Sequence, residues 1–574
     1  MMRVWRADVG RGEVRQEQIS PDWEHLGGRG LIARILLDEV PPDCDSLGPH
    51  NKLIWAPGLL VGQRISSCDR ISVGGKSPLT GGVKESNAGG TTGLMLTHLG
   101  IKALLVEGAA MDNLWRVLLL DSEGGRFEPA VDIAGEGVYQ TAEKLRQRYG
   151  SGIGLALIGP GGQRQMLAAG IQNLDKDDEP SRINARGGLG ALMGSKRLLA
   201  VVIDASSGEP PRLEDEELIK RAQKHFVDKL LEHPQTTAYA EYGTAAMTMM
   251  CDGIGALPTR NFSIGTFEGA QAISGDALRD LLLERGGDSQ TTHACMPGCT
   301  IRCSNCFADD SGKKIVSPIE YEMIALLGSN LGIDDLDVIA RLNWALNDLG
   351  LDTIEIGVAL GVAAGAGLME FGDGERALAL IDEIRRDTPL GRALGNGAAF
   401  TGSALGVQRV PVVKNQAISA YDPRALKGTG VTYATSPQGA DHTSGLTIRA
   451  KVNHLDPQGQ VDVSRKAQIN MAGYDTLGAC LFSGFGFADA PGAIRDLLIG
   501  RYGWDVPDDI LQRLGEETLQ LERAFNRAAG FSAADDRLPE WMTTEPLPPH
   551  NRVFDVDAED LDRVFTAYQD LQQS

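Results

Sequence analysis

The chain has 574 residues, of which 42% are hydrophobic and 23% charged, and its formal net charge is −22. At roughly 100–200 residues per domain, this length predicts about three or four domains. The negative charge and the lack of a Lys/Arg-rich tract argue against a nucleic-acid partner. The start, MMRVWRADVGRGEV, has no apolar signal core. No apolar run reaches the roughly 18 residues of a spanning helix, so we expect a cytoplasmic protein without a membrane span.

The pattern of the sequence changes along the chain. Residues 1–205 contain short apolar runs such as KLIWAPGLLVG and LLAVVID, bounded by Gly and Asp, which predict β-strands. From about Pro210 the apolar positions recur with helical spacing, and acidic residues open the helices. After about Arg409 loops and helices alternate. The pattern therefore predicts a β-rich first part followed by mainly helical parts.

The most strongly helical stretch covers residues 317–400. The segment from Ser317 to Glu320 places Ser at N-cap, Pro at N1 and Glu at N3, which predicts a capping box and a helix that carries Glu322. A second helix is predicted to open at Asp334 and a third at Asp352.

Two Gly-rich loops lie in the β-rich part, at Asp69–Gly90 and Ser181–Lys196. Such loops let backbone N–H groups approach a phosphate closely. Neither fits a nucleotide motif, because Arg70 stands where a P-loop needs its first Gly and Met193 stands at the third Gly of the dinucleotide fingerprint. Tight turns between strands are an equally good interpretation of both loops.

Two short stretches in the second half resemble each other. NDLGLD covers Asn347–Asp352 and DTLGAC covers Asp475–Cys480. Each has an amide or acid, two residues, a Gly, an aliphatic residue and then Asp or Cys. A helix that ends at the Gly, followed by a new helix cap, is a sufficient account of the first stretch when it is considered alone.

Four of the eight cysteines lie in the segment HACMPGCTIRCSNC, from His293 to Cys306. Structural zinc sites usually show two separated cysteine pairs, whereas these cysteines form one run broken by a Pro-Gly turn. A compact loop that offers three thiolates, with a fourth from elsewhere, is typical of a four-iron cluster. The spacing favours an iron–sulfur cluster, while a zinc site and free thiols stay open.

In combination, these motifs resemble the aldehyde ferredoxin oxidoreductases, which hold tungsten, or sometimes molybdenum, between two pterin cofactors. The resemblance begins at RGLIARILLDEVPP and includes KSPLTG, ARGGLGALMGSK, EYE-x5-GSNLGIDDLD, LGLDT, AYDPRA, YATSPQGADH and the D-x-x-G-x-C stretch. It implies an α+β fold in three domains. Residues 1–208 would form a β-rich base that cradles the pterins, and residues 209–409 and 410–574 would form two mainly helical domains.

The resemblance also implies how the bis-pterin cofactor is held. Arg70 should lie between the pterins and the cluster, and Asn87 should help to bind a Mg²⁺ ion that bridges the pterin phosphates. The two similar stretches should grip one pterin each, and Asn347, where the family has Asp, should do so more weakly. The implied contacts are Arg70, Asn87, Gly89, Gly90, Arg182, Ile183, Arg186, Gly187, Gly188, Asn347, Gly350, Leu351, Asp352, Asp475, Gly478 and Ala479.

The cysteine loop departs from the common family pattern, C-x2-C-x3-C. Cys295 and Cys299 match its second and third positions, but Thr292 falls at the first. Cys306 and His293 are weaker candidates for the missing ligand than Cys303. The expected ligands of one [4Fe–4S] cluster are therefore Cys295, Cys299, Cys303 and Cys480.

Two residues match the family's catalytic positions, Glu322 in EYE and His442 in GADHT. The implied reaction oxidises a small aldehyde with water to a carboxylic acid and passes electrons through the cluster to ferredoxin or a partner iron–sulfur subunit. Glu322 would act as general base, and His442 would hydrogen-bond the substrate oxygen. Alternatives are the bis-pterin subunit of a reductase complex acting on acids or thioesters, and a zinc-stabilised scaffold without redox function.

Some family members bridge two subunits through an iron held by a Glu-x-x-His pair. The matching positions here are Arg341 and Trp344, which are not suitable ligands. The sequence predicts no bridging iron, and oligomer formation through other contacts stays open.

Overall fold

The β-strands of the protein are concentrated in the first 205 residues of the computed structural model, which describes residues 2–568. These strands are β1 (Arg3–Asp8), β2 (Glu13–Glu17), β3 (Leu53–Pro57), β4 (Ile71–Lys76), β5 (Val83–Ala88), β6 (Ile101–Glu107), β7 (Arg116–Asp121), β8 (Gly124–Pro129), β9 (Gly154–Leu157), β10 (Ile171–Asn173), β11 (Arg182–Asn184) and β12 (Leu198–Ile203). Five short strands follow: β13 (Gln290–His293), β14 (Ser304–Ala308), β15 (Lys314–Val316), β16 (Val412–Val413) and β17 (Gln416–Ala417).

Helices make up most of the chain beyond residue 215. The helices among the first 205 residues are α1 (Gly28–Glu39), α2 (Thr92–His98), α3 (Val138–Tyr149), α4 (Pro160–Gln163) and α5 (Leu189–Ser195). The later helices are α6 (Glu216–Glu232), α7 (Pro234–Tyr242), α8 (Met247–Gly253), α9 (Gly275–Arg285), α10 (Tyr321–Met323), α11 (Leu336–Leu349), α12 (Thr353–Gly365), α13 (Gly374–Arg385), α14 (Pro389–Gly395), α15 (Ala398–Leu405), α16 (Lys427–Thr435), α17 (Gln460–Leu477), α18 (Gly484–Asp489), α19 (Ala493–Tyr502), α20 (Ile510–Ala528), α21 (Glu540–Thr544) and α22 (Ala558–Asp562).

The first twelve strands form two six-stranded sheets, ordered β2-β1-β6-β3-β4-β5 and β11-β10-β9-β12-β7-β8. Each sheet contains one parallel pair, β1 with β6 and β7 with β12. Because side chains alternate along a strand, β1 and β3 of the first sheet contribute side chains to two different layers. Trp5 and Trp55 point into the core between the two sheets, whereas Val4 and Ile54 join the core shared with the helices. The first sheet is therefore covered by the second sheet on one face and by helices on the other.

The predicted α+β class, with a β-rich first part and mainly helical later parts, is confirmed. The helical parts share one hydrophobic core that extends from Ile219 to Phe565 and also takes in α1 of the base. The proposed boundaries at residues 208 and 409 stay predictions. Among the described residues, no helix is both long and apolar enough to cross a membrane.

The predicted capping box at Ser317–Glu320 is wrong. This segment is extended, its Ser317–Pro318 peptide bond is cis, and the helix begins only at Tyr321. Asn305 of β14 holds the segment in place, because its side-chain amide accepts from Ile319 N (2.9 Å) and donates to Ile319 O (2.6 Å). Tertiary hydrogen bonds thus replace the local cap that the sequence predicts.

A buried ion-pair network joins α1 of the base to the carboxy-terminal helices. The guanidinium of Arg29 donates two parallel hydrogen bonds to Glu522 of α20 (2.8 and 2.9 Å) and a third to Asp475 of α17 (3.2 Å). The Arg29 and Glu522 side chains are 1% and 0% exposed. The bidentate geometry offsets the desolvation of these charges, and it fixes the end of α17 against the base.

Replacing Arg29 with Leu should destabilise the protein by about 3–5 kcal/mol, because the change leaves the Glu522 carboxylate buried without its cation. Urea unfolding followed by circular dichroism measures this loss. Arg34→Leu on the same helix is the control: Arg34 is 30% exposed and pairs with Asp38 at 2.9 Å. Its replacement should cost at most about 1 kcal/mol, and equal losses in the two variants would contradict the account.

Candidate functional site

The two similar stretches, Asn347–Asp352 and Asp475–Cys480, adopt matching conformations. The helix α11 ends at Gly350 and the helix α17 ends at Gly478, and both glycines are left-handed, with φ of 70° and 77°. Each glycine N–H bonds back to the carbonyl of the residue three positions earlier. Glycine adopts this conformation without a steric penalty, so the sequence similarity reflects a shared helix ending.

Both helix endings dock on the base through the same pair of backbone hydrogen bonds. In the second stretch, Gly478 O accepts from Arg70 N (3.1 Å) and Cys480 N donates to Ser67 O (2.8 Å). In the first stretch, Gly350 O accepts from Gly170 N (3.0 Å) and Asp352 N donates to Ala168 O (2.9 Å). The backbones are so close that a Cβ on Gly58 would lie 2.1 Å from Gly478 N. The two stretches are thus presented to the base in equivalent ways.

The Gly-rich loops of the base face these helix endings. Arg186, Gly187 and Gly188 form a turn in which all three residues have positive φ, and Gly188 is the N-cap of α5. Gly90 has φ of 111°, and a Cβ there would lie 2.6 Å from Leu174 O. A Cβ on Gly89 would lie 3.0 Å from Cys295 Sγ. Gly89 thus allows the cysteine loop to approach the base closely, and the other glycines allow close packing within the base.

Several buried polar atoms in this region have no hydrogen-bond partner. They include Arg186 Nε and Nη1, Arg182 Nε and Asp352 Oδ2. Arg186 Nε lies 3.8 Å from Asp352 Oδ2, which is too far for a hydrogen bond. Because buried polar groups are nearly always paired in native proteins, these donors and acceptors suit a polar, anionic cofactor such as a bis-pterin.

Arg70 lies beside both the cysteines and the second helix ending. Burial alone would lower its pKa, but the charges of Cys480, Cys295 and Asp475 raise it, so the guanidinium stays charged. Its Nε donates to Asn87 Oδ1 and its Nη2 donates to Asn87 O (2.9 Å). The amide oxygen of Asn87 is therefore engaged by Arg70 in this arrangement.

All eight cysteines are free thiols. Cys295 and Cys299 share a hydrogen bond, which lowers the pKa of Cys299 to about 5 and makes its thiolate readily available. Burial is the main reason that the pKa values of Cys303 and Cys480 are raised. The charge of Cys299 raises both pKa values further, which shows that these three thiols are neighbours. A metal cluster would reverse that effect, because coordination favours the thiolate.

The two weaker ligand candidates are already engaged. Cys306 Sγ, in β14, lies 3.7 Å from Ser317 Oγ. His293 Nε2 lies 2.8 Å from Asp177 Oδ2, and His293 Nδ1 lies 3.3 Å from Arg182 Nη2. These contacts favour Cys303 as the thiol that replaces the family cysteine missing at position 292.

Asp175, Asp177 and His293 bring possible ligand atoms within 4.8 Å of one another. The guanidinium of Arg182 also approaches Asp175 to 3.8 Å. This cation competes with a metal ion for the same carboxylates, so we interpret the group as an ion-pair network beside the cysteine loop.

The sequence alone did not single out Cys68 or Ser419. Cys68 is fully buried, which raises its pKa, and the nearby Cys480 and Cys299 add to that shift. Its only sequence signal is its position two residues before Arg70. Ser419 lies 3.2 Å from the imidazole of His442, a contact between residues that are well separated in sequence.

Glu322 and His442 meet across the site, with His442 Nε2 3.1 Å from Glu322 Oε1. Burial alone would lower the pKa of His442, but Glu322 raises it. Burial alone would raise the pKa of Glu322, but His442 lowers it. The pair is therefore held as imidazolium and carboxylate over a wide pH range.

Local backbone features place both residues of this pair. Glu322 lies in the short helix α10, which continues as a π-helical turn over Ile324–Gly328. Such turns are frequent at functional sites. His442 follows Asp441, whose carboxylate caps the next turn and pairs with the buried Lys84 at 2.8 Å. The geometry thus aims a carboxylate and an imidazole at each other from two separate segments.

A β-rich base, two matched helix endings, unpaired buried arginines and a group of free cysteines are the features expected of a redox protein that holds a large anionic cofactor beside a metal cluster. Residues 4–205 match the family model of the aldehyde ferredoxin oxidoreductase amino-terminal domain, and residues 221–572 match the model of its domains 2 and 3. The chain belongs to the aldehyde ferredoxin oxidoreductase family. Membership implies an oxidoreductase with a tungsten bis-pterin and an iron–sulfur cluster.

Named relatives support this assignment. The tungsten-containing aldehyde ferredoxin oxidoreductase of Pyrococcus furiosus is 32% identical over 577 residues, which cover 95% of this chain and 92% of that protein. The aliphatic sulfonate oxidoreductase WOR-like subunit of the same organism is 27% identical over an alignment that covers 94% of this chain and 89% of that protein. The active-site complex BamBC of benzoyl coenzyme A reductase shares the fold, with a TM-score of 0.80, 19% identity and coverage of 99% and 94%.

We expect Cys303→Ser to lower the iron content and alter the cluster's electron paramagnetic resonance signal, because serine is a poor ligand for iron–sulfur clusters. Cys306→Ser is the matched control, since Cys306 Sγ faces Ser317. It should keep full iron content in anaerobically purified protein. A larger loss in the Cys306 variant than in the Cys303 variant would contradict the ligand assignment.

Proposed function

We propose that this protein oxidises an aldehyde, with water, to a carboxylic acid, releasing two electrons and two protons. The observation that supports this best is the Glu322–His442 pair, which combines a general base with a hydrogen-bond donor at 3.1 Å. Family membership supplies the redox class, and the P. furiosus aldehyde ferredoxin oxidoreductase supplies the substrate class.

The proposed cofactor contacts follow from the docked helix endings. Asn347, Leu351 and Asp352 would contact one pterin, and Asp475, Gly478 and Ala479 would contact the other. Arg186 has two guanidinium nitrogens without partners and would donate to this cofactor. When bound, the tungsten bis-pterin and the cluster accept the substrate's electrons and carry them outward.

The thiolates of Cys295, Cys299, Cys303 and Cys480 would hold the cluster. Cys480 is the last residue of the stretch Asp475–Cys480, so a cluster held by Cys480 would lie close to the pterin that Asp475, Gly478 and Ala479 would contact. A Mg²⁺ ion at the pterin phosphates would require the amide oxygen of Asn87 to turn away from Arg70.

Glu322 would accept the proton of the attacking water. His442 lowers the pKa of Glu322, so the group is a carboxylate near neutral pH, which is the protonation state that a general base requires. When substrate binds, the Nε2–H of the His442 imidazolium would turn from Glu322 to the aldehyde oxygen as negative charge develops there, which would also leave Glu322 free to accept the proton. Each residue thus keeps the other in the charged form that its proposed role requires.

A hydrogen-bonded chain orients the imidazole. Glu355 is fully buried and accepts from Ala398 N and Ala417 N, both at 2.9 Å. Ala417 begins the segment that carries Ser419, whose hydroxyl lies 3.2 Å from His442 Nδ1. Because Nδ1 is held by Ser419, Nε2 points at Glu322.

The WOR-like relative acts on aliphatic sulfonates according to its name, and the fold is shared with a benzoyl coenzyme A reductase complex. A substrate panel of aldehydes, sulfonates, carboxylic acids and thioesters, assayed by reduction or oxidation of viologen dyes, tests the proposed reaction class. Reduction of viologen by aldehydes is the predicted result. Turnover of only sulfonates, acids or thioesters would contradict the proposal.

Glu322→Gln should lower kcat for aldehyde oxidation by at least about 100-fold, because an amide cannot accept the proton from water. Tungsten and iron content should stay unchanged. The control is Glu320→Gln, two residues earlier, where the carboxylate lies 4.0 Å from Arg182 instead of facing His442. If both variants keep wild-type turnover, or both lose it equally, Glu322 is not the base.

The pH dependence of kcat/KM should follow the protonation states of His442 and Glu322. The pKa of His442 is raised, so its imidazolium persists above the usual imidazole range and is lost as pH rises through the raised value. The pKa of Glu322 is lowered, so its carboxylate is lost only at acidic pH. Activity should therefore fall on the alkaline side because of His442 and on the acidic side because of Glu322.

Ser419→Ala should move the alkaline limb of this profile to lower pH, because the imidazolium loses the acceptor of its Nδ1 proton. Ser464→Ala is the control, since the buried Ser464 hydroxyl bonds Thr432 (2.7 Å) and lies outside the pair. An alkaline limb at wild-type pH in Ser419→Ala would show that Ser419 does not orient His442.

A further inference from the structure

The surface next to the cysteine loop carries arginines that lack ionic partners. Arg64, Arg302 and Arg449 are exposed. In the part of the chain that the structure describes, none of the three forms a salt bridge, and all three carry their charge at the surface. The three arginines are therefore available to pair with an acidic partner, although the chain as a whole carries a net charge of −22.

These arginines lie directly around the proposed cluster ligands. Arg302 precedes Cys303 in the chain, and both Cys303 and Cys480 are partly exposed. Arg64 packs against the cysteine loop, because a Cβ on Gly298 would lie 3.2 Å from Arg64 O. The loop after Arg64 is also tied to the cysteine loop through a 2.7 Å hydrogen bond between Ser66 and Thr300.

An aromatic group completes this surface. Phe482 and Phe485 follow Cys480 and are partly exposed. Tyr239 stacks against Phe482 with a centroid distance of 4.6 Å, and Arg449 lies 4.9 Å from the rings of both Tyr239 and Phe485. Gly243, at the end of the helix that carries Tyr239, contacts Cys303, since a Cβ there would lie 2.9 Å from Cys303 O. The aromatic group and the cysteine loop are therefore neighbours.

We propose that the docking surface, formed by Arg64, Arg302, Arg449, Phe482 and Phe485, binds a small acidic iron–sulfur protein that takes electrons from the cluster. This inference rests on the proposed function, because it names the electron acceptor's binding site. The unpaired cations complement an acidic partner, and they steer it against the repulsion of the rest of this acidic chain.

The composition of the docking surface favours a transient partner over a permanent subunit. Its apolar part is small, because Phe482 and Phe485 are only partly exposed and Tyr239 is 3% exposed. Obligate interfaces bury a larger and more apolar area, whereas electron-transfer encounters lie at the low end of the size range, below about 1,200 Å² in total. A charged rim around a few aromatic side chains suits rapid association and release.

Binding tests the proposal without requiring turnover. The holoenzyme is titrated with a small acidic [4Fe–4S] ferredoxin at low salt, and the double variant Arg64→Glu/Arg302→Glu should weaken binding by at least about tenfold. The conservative variant Arg64→Lys/Arg302→Lys should retain binding because the charges stay. Arg386→Glu, an exposed position in the linker after α13, should also leave binding unchanged. Unchanged ferredoxin binding in the double reversal would overturn the proposal.

Kinetics provide a second, independent reading. The double reversal should raise KM for the ferredoxin at least about tenfold and leave the rate with methyl viologen, a small dye that needs no docking surface, within about twofold of wild type. Equal losses with both acceptors would overturn the proposal, because they indicate damage to the site. If the wild-type protein binds ferredoxin but oxidises no aldehyde, the result supports the docking surface and contradicts the proposed reaction.

Two further outcomes would reject this partner. Binding of the holoenzyme to phosphatidylglycerol vesicles, with no binding to ferredoxin, would assign the cations to an anionic membrane surface. A ferredoxin complex that survives gel filtration at high salt would indicate a permanent subunit, because screened charges alone do not hold a complex together. Salt-sensitive binding of ferredoxin alone is the result that supports a transient acidic partner.

Discussion

The docking of two glycine-capped helix ends on the β-rich base is the interaction on which the rest of the site depends. Each end is held by two backbone hydrogen bonds, at Gly350 and Asp352 in one case and at Gly478 and Cys480 in the other. Backbone contacts of this kind fix position regardless of side-chain chemistry, so the residues between them are free to contact a cofactor. The same docking brings Cys480 to the cysteine loop from a distant part of the chain. One structural device therefore positions both the proposed pterin contacts and the proposed cluster ligand Cys480.

Around this scaffold the site is unusually rich in buried charge. Arg29, Lys84 and Arg186 are buried cations, and each lies near a buried carboxylate. Such pairs add little net stability over apolar packing, because desolvation costs nearly as much as the pairing returns. A function in holding the helix endings rigidly and neutralising an anionic cofactor would explain the presence of these buried pairs. The same physics holds in the proposed catalytic pair, Glu322 and His442, because each group shifts the pKa of the other toward its charged form.

Much of this arrangement could be predicted from sequence, and the limits have physical reasons. The fold class follows from strand and helix patterns, and Asp352 caps its helix as predicted because a helix cap is a local interaction. The capping box at Ser317–Glu320 failed because a long-range partner, Asn305, competes for the same backbone. The sheet order and the approach of Ser419 to His442 depend on tertiary contacts that no local pattern encodes. Comparison with the family's cysteine pattern favours Cys303 over Cys306, and the contact of Cys306 with Ser317 supplies an independent reason. The roles of these residues stay proposals.

The central claim is that this chain holds a tungsten or molybdenum bis-pterin beside one iron–sulfur cluster. The most direct measurement is the metal content of protein purified without oxygen, determined by inductively coupled plasma mass spectrometry. The account predicts one tungsten or molybdenum atom and about four iron atoms per chain. Zinc as the sole bound metal, without tungsten, molybdenum or iron, would contradict it.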